Sequence, residues 1–552
     1  MAYRLAKAGL RVCLLERGKP YPPGSFPRSP YRMKTNFWDP SKGMYGLFSF
    51  WSFQSMNALV ASGLGGGSLI YSNVMIRKDE KWFVHENLSQ GGYENWPVTR
   101  AELDPHYQRV EDMLPVQRYP FDQAPYNKTP RTLALKAAAE ELQLDWCLPN
   151  IAVTFGNADE PPAPGVLIHE AYPNIHGPNS IRTTCCLCSE CNIGCNTGSK
   201  NTLDYNYLTE AKRHGAEIRT GCEVRSFQPE NDSGYSLSYV EHDLSRQGQP
   251  TDTHDPAVLP PKTITTKRLI LSAGALGSTY LLLKNRSVFP QISRQLGTRF
   301  SGNGDFLSFV VRCDDSTSGE RIPRIIDPSY GPAITSTIRI PDKEDGGEGR
   351  GFYIQDAGYP EFVNWMLQLF DEPGALGQQF GVVRQLIGKQ LKRKTVSDVS
   401  KYVSKLFGAC ELSAGLLPLD GMGRDIPSGK MRLRQGKLEL SWPKEDCDAY
   451  YEAVRQKMIE ISRVLGGDFV DDPLWYLNRV ITVHPLGGCP MGRNSTEGVV
   501  NEYGEVFNYP NFYIADGSVM PGPVGANPSL TIAALADRFA SGIIEGRGGK
   551  NA

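Results

Sequence analysis

Apolar and polar positions alternate along the chain in a way that divides it into short strands and amphipathic helices. Met1–Ala8 spaces its apolar side chains as a helix, and Gly9 stands where such a helix stops. Arg11–Leu15 is a short apolar strand that runs directly into Glu16. An aromatic, Gly- and Pro-rich stretch over Lys19–Trp51 reads as loops packed over a site, and Leu59–Arg77 then carries a run of glycines. Residues 80–180 are polar and interrupted by prolines, with one strong helical pattern over Pro130–Leu144. Leu203–Gly215 reads as a helix leading into strand Glu217–Arg219, then Cys222–Phe227 and a polar hairpin. Lys267–Ser272 is a buried strand that turns at Ala273-Gly274 into a helix of small residues and leucines. The span 306–440 is strand and loop with one basic helical stretch. Asp446–Leu465 is an amphipathic helix, and Asn511–Ile544 has the order strand, loop, helix. No internal repeat or low-complexity segment interrupts this order.

A chain of 552 residues, 40% hydrophobic, buries a large core and divides into more than one domain. Lys+Arg number 59 against 60 Asp+Glu, so a net charge of -1 gives no global attraction to nucleic acid. No run of about 18 apolar residues predicts a membrane-spanning helix. No basic segment followed by an apolar one opens the chain as a secretion signal would. A cytoplasmic or membrane-peripheral location is the expectation. Helix, Gly, apolar strand and terminal acid together form the second half of a dinucleotide-binding unit, in which Glu16 accepts hydrogen bonds from the adenosine ribose. The first half, a strand and a Gly-x-Gly-x-x-Gly turn, does not occur in the chain. That turn would place helix N–H groups on the pyrophosphate. Met1 is therefore expected to be an internal methionine of a longer reading frame, preceded by roughly 20–35 residues that encode the turn. Without that turn the chain is expected to hold such a cofactor poorly or not at all.

Three segments carry a resemblance. The first is Ser62-Gly63-Leu64-Gly65-Gly66-Gly67-Ser68, continuing to Asn73. Consecutive glycines there let main-chain N–H groups approach a ring or phosphate unobstructed. The second is the strand-to-helix turn Ile270–Leu282, through Ala273-Gly274. The third comprises His484-Pro485-Leu486-Gly487-Gly488-Cys489, then Asn511–Ser518, then Gly525-Ala526-Asn527-Pro528-Ser529. In order and spacing these resemble the glucose–methanol–choline (GMC) oxidoreductases, most of all their cholesterol-oxidase-like bacterial branch.

The resemblance implies an α/β fold: an FAD-binding doubly wound, Rossmann-like domain interleaved with a substrate domain on an antiparallel sheet, lacking here its first strand and glycine turn. It implies FAD contacts from Gly63, Gly65, Gly66, Gly67, Ser68, Asn73, Val224, Ala273, Gly274, Asp516, Gly517, Asn527 and Pro528, with Glu16 on the ribose. Expected boundaries are 1–77, 196–305 and 479–552 for the FAD domain, 78–195 for a lid and the first part of the substrate domain, and 306–478 for the rest of it.

His484 and Asn527 lie 43 residues apart on two glycine-rich turns. An imidazole titrates near pH 6.5 and exchanges an alcohol proton at working pH, while a carboxamide can donate to the developing oxyanion. The expected reaction is FAD-dependent oxidation of a small-molecule alcohol. A hydrophobic one such as a sterol leads, with O2 or another electron acceptor completing the cycle and no nucleic-acid partner. Glu361, in Tyr359–Trp365, lies where cholesterol oxidases carry the carboxylate that isomerises the steroid double bond; an exposed loop acid is the competing reading. Two other functions stay open: a flavin–iron-sulfur dehydrogenase of a sugar or polyol that passes electrons to a partner, and a truncated, non-catalytic homologue.

Cys185, Cys186, Cys188, Cys191 and Cys195 fall within eleven residues, and the last three with Cys185 give C-x2-C-x2-C-x3-C, a ferredoxin-like spacing. Iron–sulfur binding, four-thiolate zinc, disulfides and reduced structural thiols are all open. Arg384–Phe407 carries seven basic residues and one acid, which fits either transient contact with an anionic membrane surface or a solvated helix.

Overall fold

The computed structural model describes residues 1–230, 234–247, 258–315, 322–343, 346–364, 367 and 411–547. The basic stretch of 384–407 lies outside the described residues. Among those described, no helix is long and apolar enough to cross a membrane.

The helix Ala2–Lys7 ends at Gly9, whose φ of 83° is open to a residue without Cβ. The strand Cys13–Glu16 then pairs in parallel with Glu217–Thr220, Glu16 opposite Thr220. A second parallel pair joins Leu269–Leu271 to Phe512–Ile514. Each of these last strands feeds a helix, Gly274–Lys284 after the first and Ser529–Ile544 after the second. Leu530, Ala534, Leu535 and Phe539 bury one face of the carboxyl-terminal helix, which packs on Ala2–Lys7 and on Arg100–Met113.

Arg100–Met113 was not legible as a helix because Pro105 interrupts it. Its start is nevertheless a capping box: Glu102 N donates to Thr99 Oγ1 at 3.3 Å, and Thr99 N donates to the Glu102 carboxylate at 2.8 Å. The expected helix over Leu203–Gly215 is divided into a π-helical turn, Asp204–Leu208, and a short α-helix, Thr209–Arg213. Part of the stretch read as loops is a strand, Phe48–Ser52, antiparallel to Met56–Ala61. Met56–Ala61 in turn pairs in parallel with Val480–Thr482.

The other large body is a six-stranded sheet in the order Asp468–Asp471, Phe306–Val311, Leu417–Gly423, Phe352–Asp356, Thr337–Ile340, Asp145–Cys147, its pairs antiparallel. Alternation gives it two faces. Leu417, Leu419 and Gly421 face the helix Asp448–Val464, where a Cβ on Gly421 would lie 2.8 Å from Val454. The opposite face carries a row in register across four strands: Thr337, Gln355, Asp420, Leu307.

Candidate active site

The glycine loop leaves the strand Met56–Ala61 and folds back on the end of Cys13–Glu16. Gly65 and Gly66 take φ values of 117° and 56°, which L side chains rarely adopt. A Cβ on Gly18 would sit 2.3 Å from Gly63 N, so the turn after Glu16 and the loop are in direct contact. Glu16 Oε1 accepts from Gly18 N at 2.7 Å. Burial pushes this carboxyl above its ordinary range, against the pull of the Gly18 and Gly63 N–H groups. Gly66 and Gly67 would meet nothing within 4 Å if given a Cβ, so the loop backbone there is open. Ser62 Oγ and both amide atoms of the fully buried Asn73 flank the loop without a hydrogen-bond partner among the described residues. Buried groups of this kind need partners.

At the second pair of strands, Asp516 accepts from Gly274 N and Ser518 N, both at 2.9 Å, and from the Ser278 hydroxyl. Ala273 caps the helix that follows, Gly517 opens a short 3-10 turn, and Pro528 caps the last helix. Val224 lies in the strand Cys222–Pro229, at an irregularity in its pairing with Tyr235–Glu241. A buried carboxylate at the end of the first strand, an open glycine backbone and orphaned buried polar groups together fit FAD.

His484 follows the strand Val480–Thr482. Its Nδ1 is 2.7 Å from Asp305 Oδ1. Asp305 Oδ2 accepts from Thr482 Oγ1 at 2.8 Å, Val483 N at 2.9 Å and His484 N at 3.2 Å. An ionised Asp305 keeps the ring proton on Nδ1 and leaves Nε2, on the far side of the ring, as the lone pair. Burial opposes a charged imidazole here, but the Asp305 carboxylate, with Asp420 behind it, outweighs burial and holds His484 above the ordinary histidine range.

Asn527 is reached from the same segment. Asn303 Oδ1 accepts from Val524 N and Gly525 N, both at 2.9 Å, and Asn303 Nδ2 donates to Ala526 O at 2.9 Å. The buried Lys78 ammonium holds the preceding carbonyls, Pro523 O at 2.8 Å and Val524 O at 2.9 Å. Asn527 itself pairs amide to amide with Gln355, Nε2 donating to Oδ1 at 2.9 Å and Nδ2 donating back at 3.2 Å. Gln355 stands opposite Asp420 in the sheet. Burial, then the charge of Asp305, push the Asp420 carboxyl up to about 7, with His484 pulling it down. Ser301-Gly302-Asn303-Gly304-Asp305 is thus one brace under both turns, and Gln355 and Asp420 connect them across the sheet. None of these supporting residues was identified from the sequence. A run of small and polar residues between apolar segments marked the brace, whereas Gln355 and Asp420 lie in ordinary strands and only register makes them neighbours. Glu361 is exposed on the turn beyond Phe352–Asp356 and has no hydrogen bond to His484 or Asn527.

The expectation of a metal at Cys185, Cys186, Cys188, Cys191 and Cys195 finds no support in the fold. Every described cysteine is a free thiol. Cys185 and Cys191 are buried, while Cys186 and Cys188 point to solvent. Leu187 and Ser189 take positive φ values of 60° and 50°, and no group of three or more His, Cys, Asp or Glu converges on a metal position among the described residues. The segment instead braces the glycine loop. Lys200 Nζ donates to Leu69 O at 2.9 Å, Tyr71 O at 3.3 Å and Cys191 O at 2.7 Å, and Ser72 Oγ donates to Asn192 Oδ1 at 2.9 Å.

The architecture defines an α/β flavoprotein oxidoreductase. Residues 178–300 and 469–536 match the amino- and carboxyl-terminal models of the GMC oxidoreductases. The chain is similar to the cholesterol oxidase of Mycobacterium tuberculosis, 28% identical over 98% of this chain and 88% of the relative. The cholesterol oxidase of Acinetobacter baumannii is 26% identical over 98% of this chain and 91% of its own length. Among solved structures, pyridoxine 4-oxidase from Mesorbium loti shares the fold with a TM-score of 0.52, at 17% identity over 98% of this chain and 96% of that one.

Proposed function

We propose that the protein oxidises the CH–OH group of a hydrophobic alcohol, a sterol hydroxyl being the first substrate to test, with His484 as base and Asn527 as partner of the substrate oxygen. The observation that carries this reading is the shared brace: Asp305 orients the imidazole while Asn303, two residues away, holds the turn that presents Asn527. In its neutral form His484 donates Nδ1–H to Asp305 and takes the alcohol proton at Nε2. Asp305 then stabilises the imidazolium, the part a buried carboxylate plays behind a catalytic histidine. Asn527 gives one Nδ2 hydrogen to Gln355 and keeps the other for the oxygen on which charge develops. What FAD supplies when bound is acceptance of the hydride from the carbinol carbon at flavin N5. Glu16, the Gly63–Ser68 backbone, Asn73, Val224, Ala273-Gly274, Asp516-Gly517 and Pro528 are the residues proposed to hold it. Similarity to cholesterol oxidases over nearly the whole chain supports a hydrophobic substrate and O2 as acceptor.

The test is turnover of cholesterol by the flavin-loaded protein with hydrogen peroxide counted. His484→Asn should retain FAD and lose about 10²- to 10⁴-fold in kcat. An undiminished His484→Asn enzyme removes the base. Dye reduction without peroxide would make the protein a dehydrogenase. Turnover of polyols but not sterols would move the substrate class. A flavin-loaded protein that oxidises no alcohol would be a binding homologue.

A further inference from the structure

Beside the glycine loop lies a carboxylate that the proposed reaction does not use. Asp204 opens the π-helical turn Asp204–Leu208 and is fully buried. Such turns interrupt helices most often at functional positions. Asp204 Oδ2 is 2.7 Å from Nε2 of His176, whose side chain is 3% exposed. Asp204 Oδ1 has no hydrogen-bond partner among the described residues, although it is buried. A Cβ built on Gly65 would come within 3.4 Å of that oxygen, so it is aimed at the loop where the backbone is bare.

Its position is fixed from several sides. Leu203 N donates to Ser68 Oγ at 3.0 Å, and Ser68 Oγ donates to Gly65 O at 2.7 Å. Thr209 Oγ1 donates to Asp204 O at 2.6 Å. The neighbouring Thr202 hydroxyl is also buried without a partner. A buried carboxylate is costly unless each oxygen meets a donor. His176 serves one oxygen, and the protein offers the other nothing. A phosphate would be repelled by it, so the missing partner is an uncharged donor, a hydroxyl or an N–H.

We infer that Asp204, oriented by His176, is a cofactor-binding residue that accepts a hydrogen bond from an uncharged donor of FAD, a ribityl hydroxyl or the ring imide N–H, and not from its pyrophosphate. It acts at a point on the loop separate from Glu16, which contacts Gly63.

The experiment is an FAD titration of the apoprotein by flavin fluorescence, paired with thermal melting of the same apoprotein. Asp204→Asn should weaken FAD binding about 10-fold and Asp204→Ala about 100-fold, the range for losing a hydrogen bond to a charged group. The Asp204→Asn apoprotein should melt close to the parent, because the amide oxygen still accepts from His176 Nε2 while the other position faces the open loop. An FAD analogue without ribityl hydroxyls that binds the parent weakly, and is not weakened further by Asp204→Asn, identifies the hydroxyl as the donor. A changed flavin reduction potential in Asp204→Asn with that discrimination intact identifies the imide. Unchanged FAD affinity together with a lower apoprotein melting temperature would make Asp204–His176 a purely structural pair and overturn the inference. A parent protein that takes up no FAD at all would sink the flavoprotein reading along with it.

Discussion

Asp305 divides its carboxylate between two tasks. One oxygen meets the His484 ring, and the other collects a hydroxyl and two backbone N–H groups from the strand end that carries it. The ring is thereby held in one tautomer and its proton affinity raised above the ordinary value. A base must be neutral to act, so the activity of the parent should rise with pH through this elevated value. In Asp305→Asn burial dominates, the imidazole loses protons more readily, and the acid limb of kcat/KM should move to lower pH while kcat falls. Asp420→Asn should move the limb the same way but less, because its charge acts on the ring without a hydrogen bond. A pH–rate profile that stays in place in Asp305→Asn would mean that another group is the base. Histidine followed by paired glycines could be picked out from the chain alone. Its carboxylate partner could not, since Asp305 is 179 residues earlier and forms no motif with it.

At the scale of elements, local signals were readable wherever their partners were close in sequence. The acid after the first strand, the turn at Ala273-Gly274 and the closing helix Ser529–Ile544 all follow from short-range pattern. The helix Arg100–Met113 shows how one strong signal hides another: Pro105 argued against a helix, yet the Thr99–Glu102 capping box that precedes it and the buried Leu103, Tyr107 and Val110 stabilise it. Thr99→Ala removes half of that box and should cost about 1 kcal/mol, read from denaturant unfolding. The cysteine run illustrates the reverse case. Ferredoxin-like spacing was present, yet what the fold shows is Lys200 donating to the Cys191 carbonyl and to the glycine loop, so that the segment holds the loop.

Across the whole molecule, the site depends on Ser301–Asp305, which joins turns contributed by distant parts of the chain. Asn303 satisfies three buried backbone groups of 524–526 and holds a φ of 56° that asparagine tolerates. Asn303→Ala leaves those groups unpaired and strains the backbone. It should destabilise the protein by about 2–5 kcal/mol and lower kcat through misplacement of Asn527, measured by unfolding and by steady-state kinetics. The likeness to the GMC oxidoreductases and the cofactor class were legible in the sequence because glycine turns and short strands encode themselves over a few residues. Asp305, Asn303, Gln355 and Asp204 were decided only by tertiary structure. Register across a sheet and contact between segments hundreds of residues apart leave no periodic trace in the chain, since the hydrogen bonds that unite them exist only once the apolar faces have been buried.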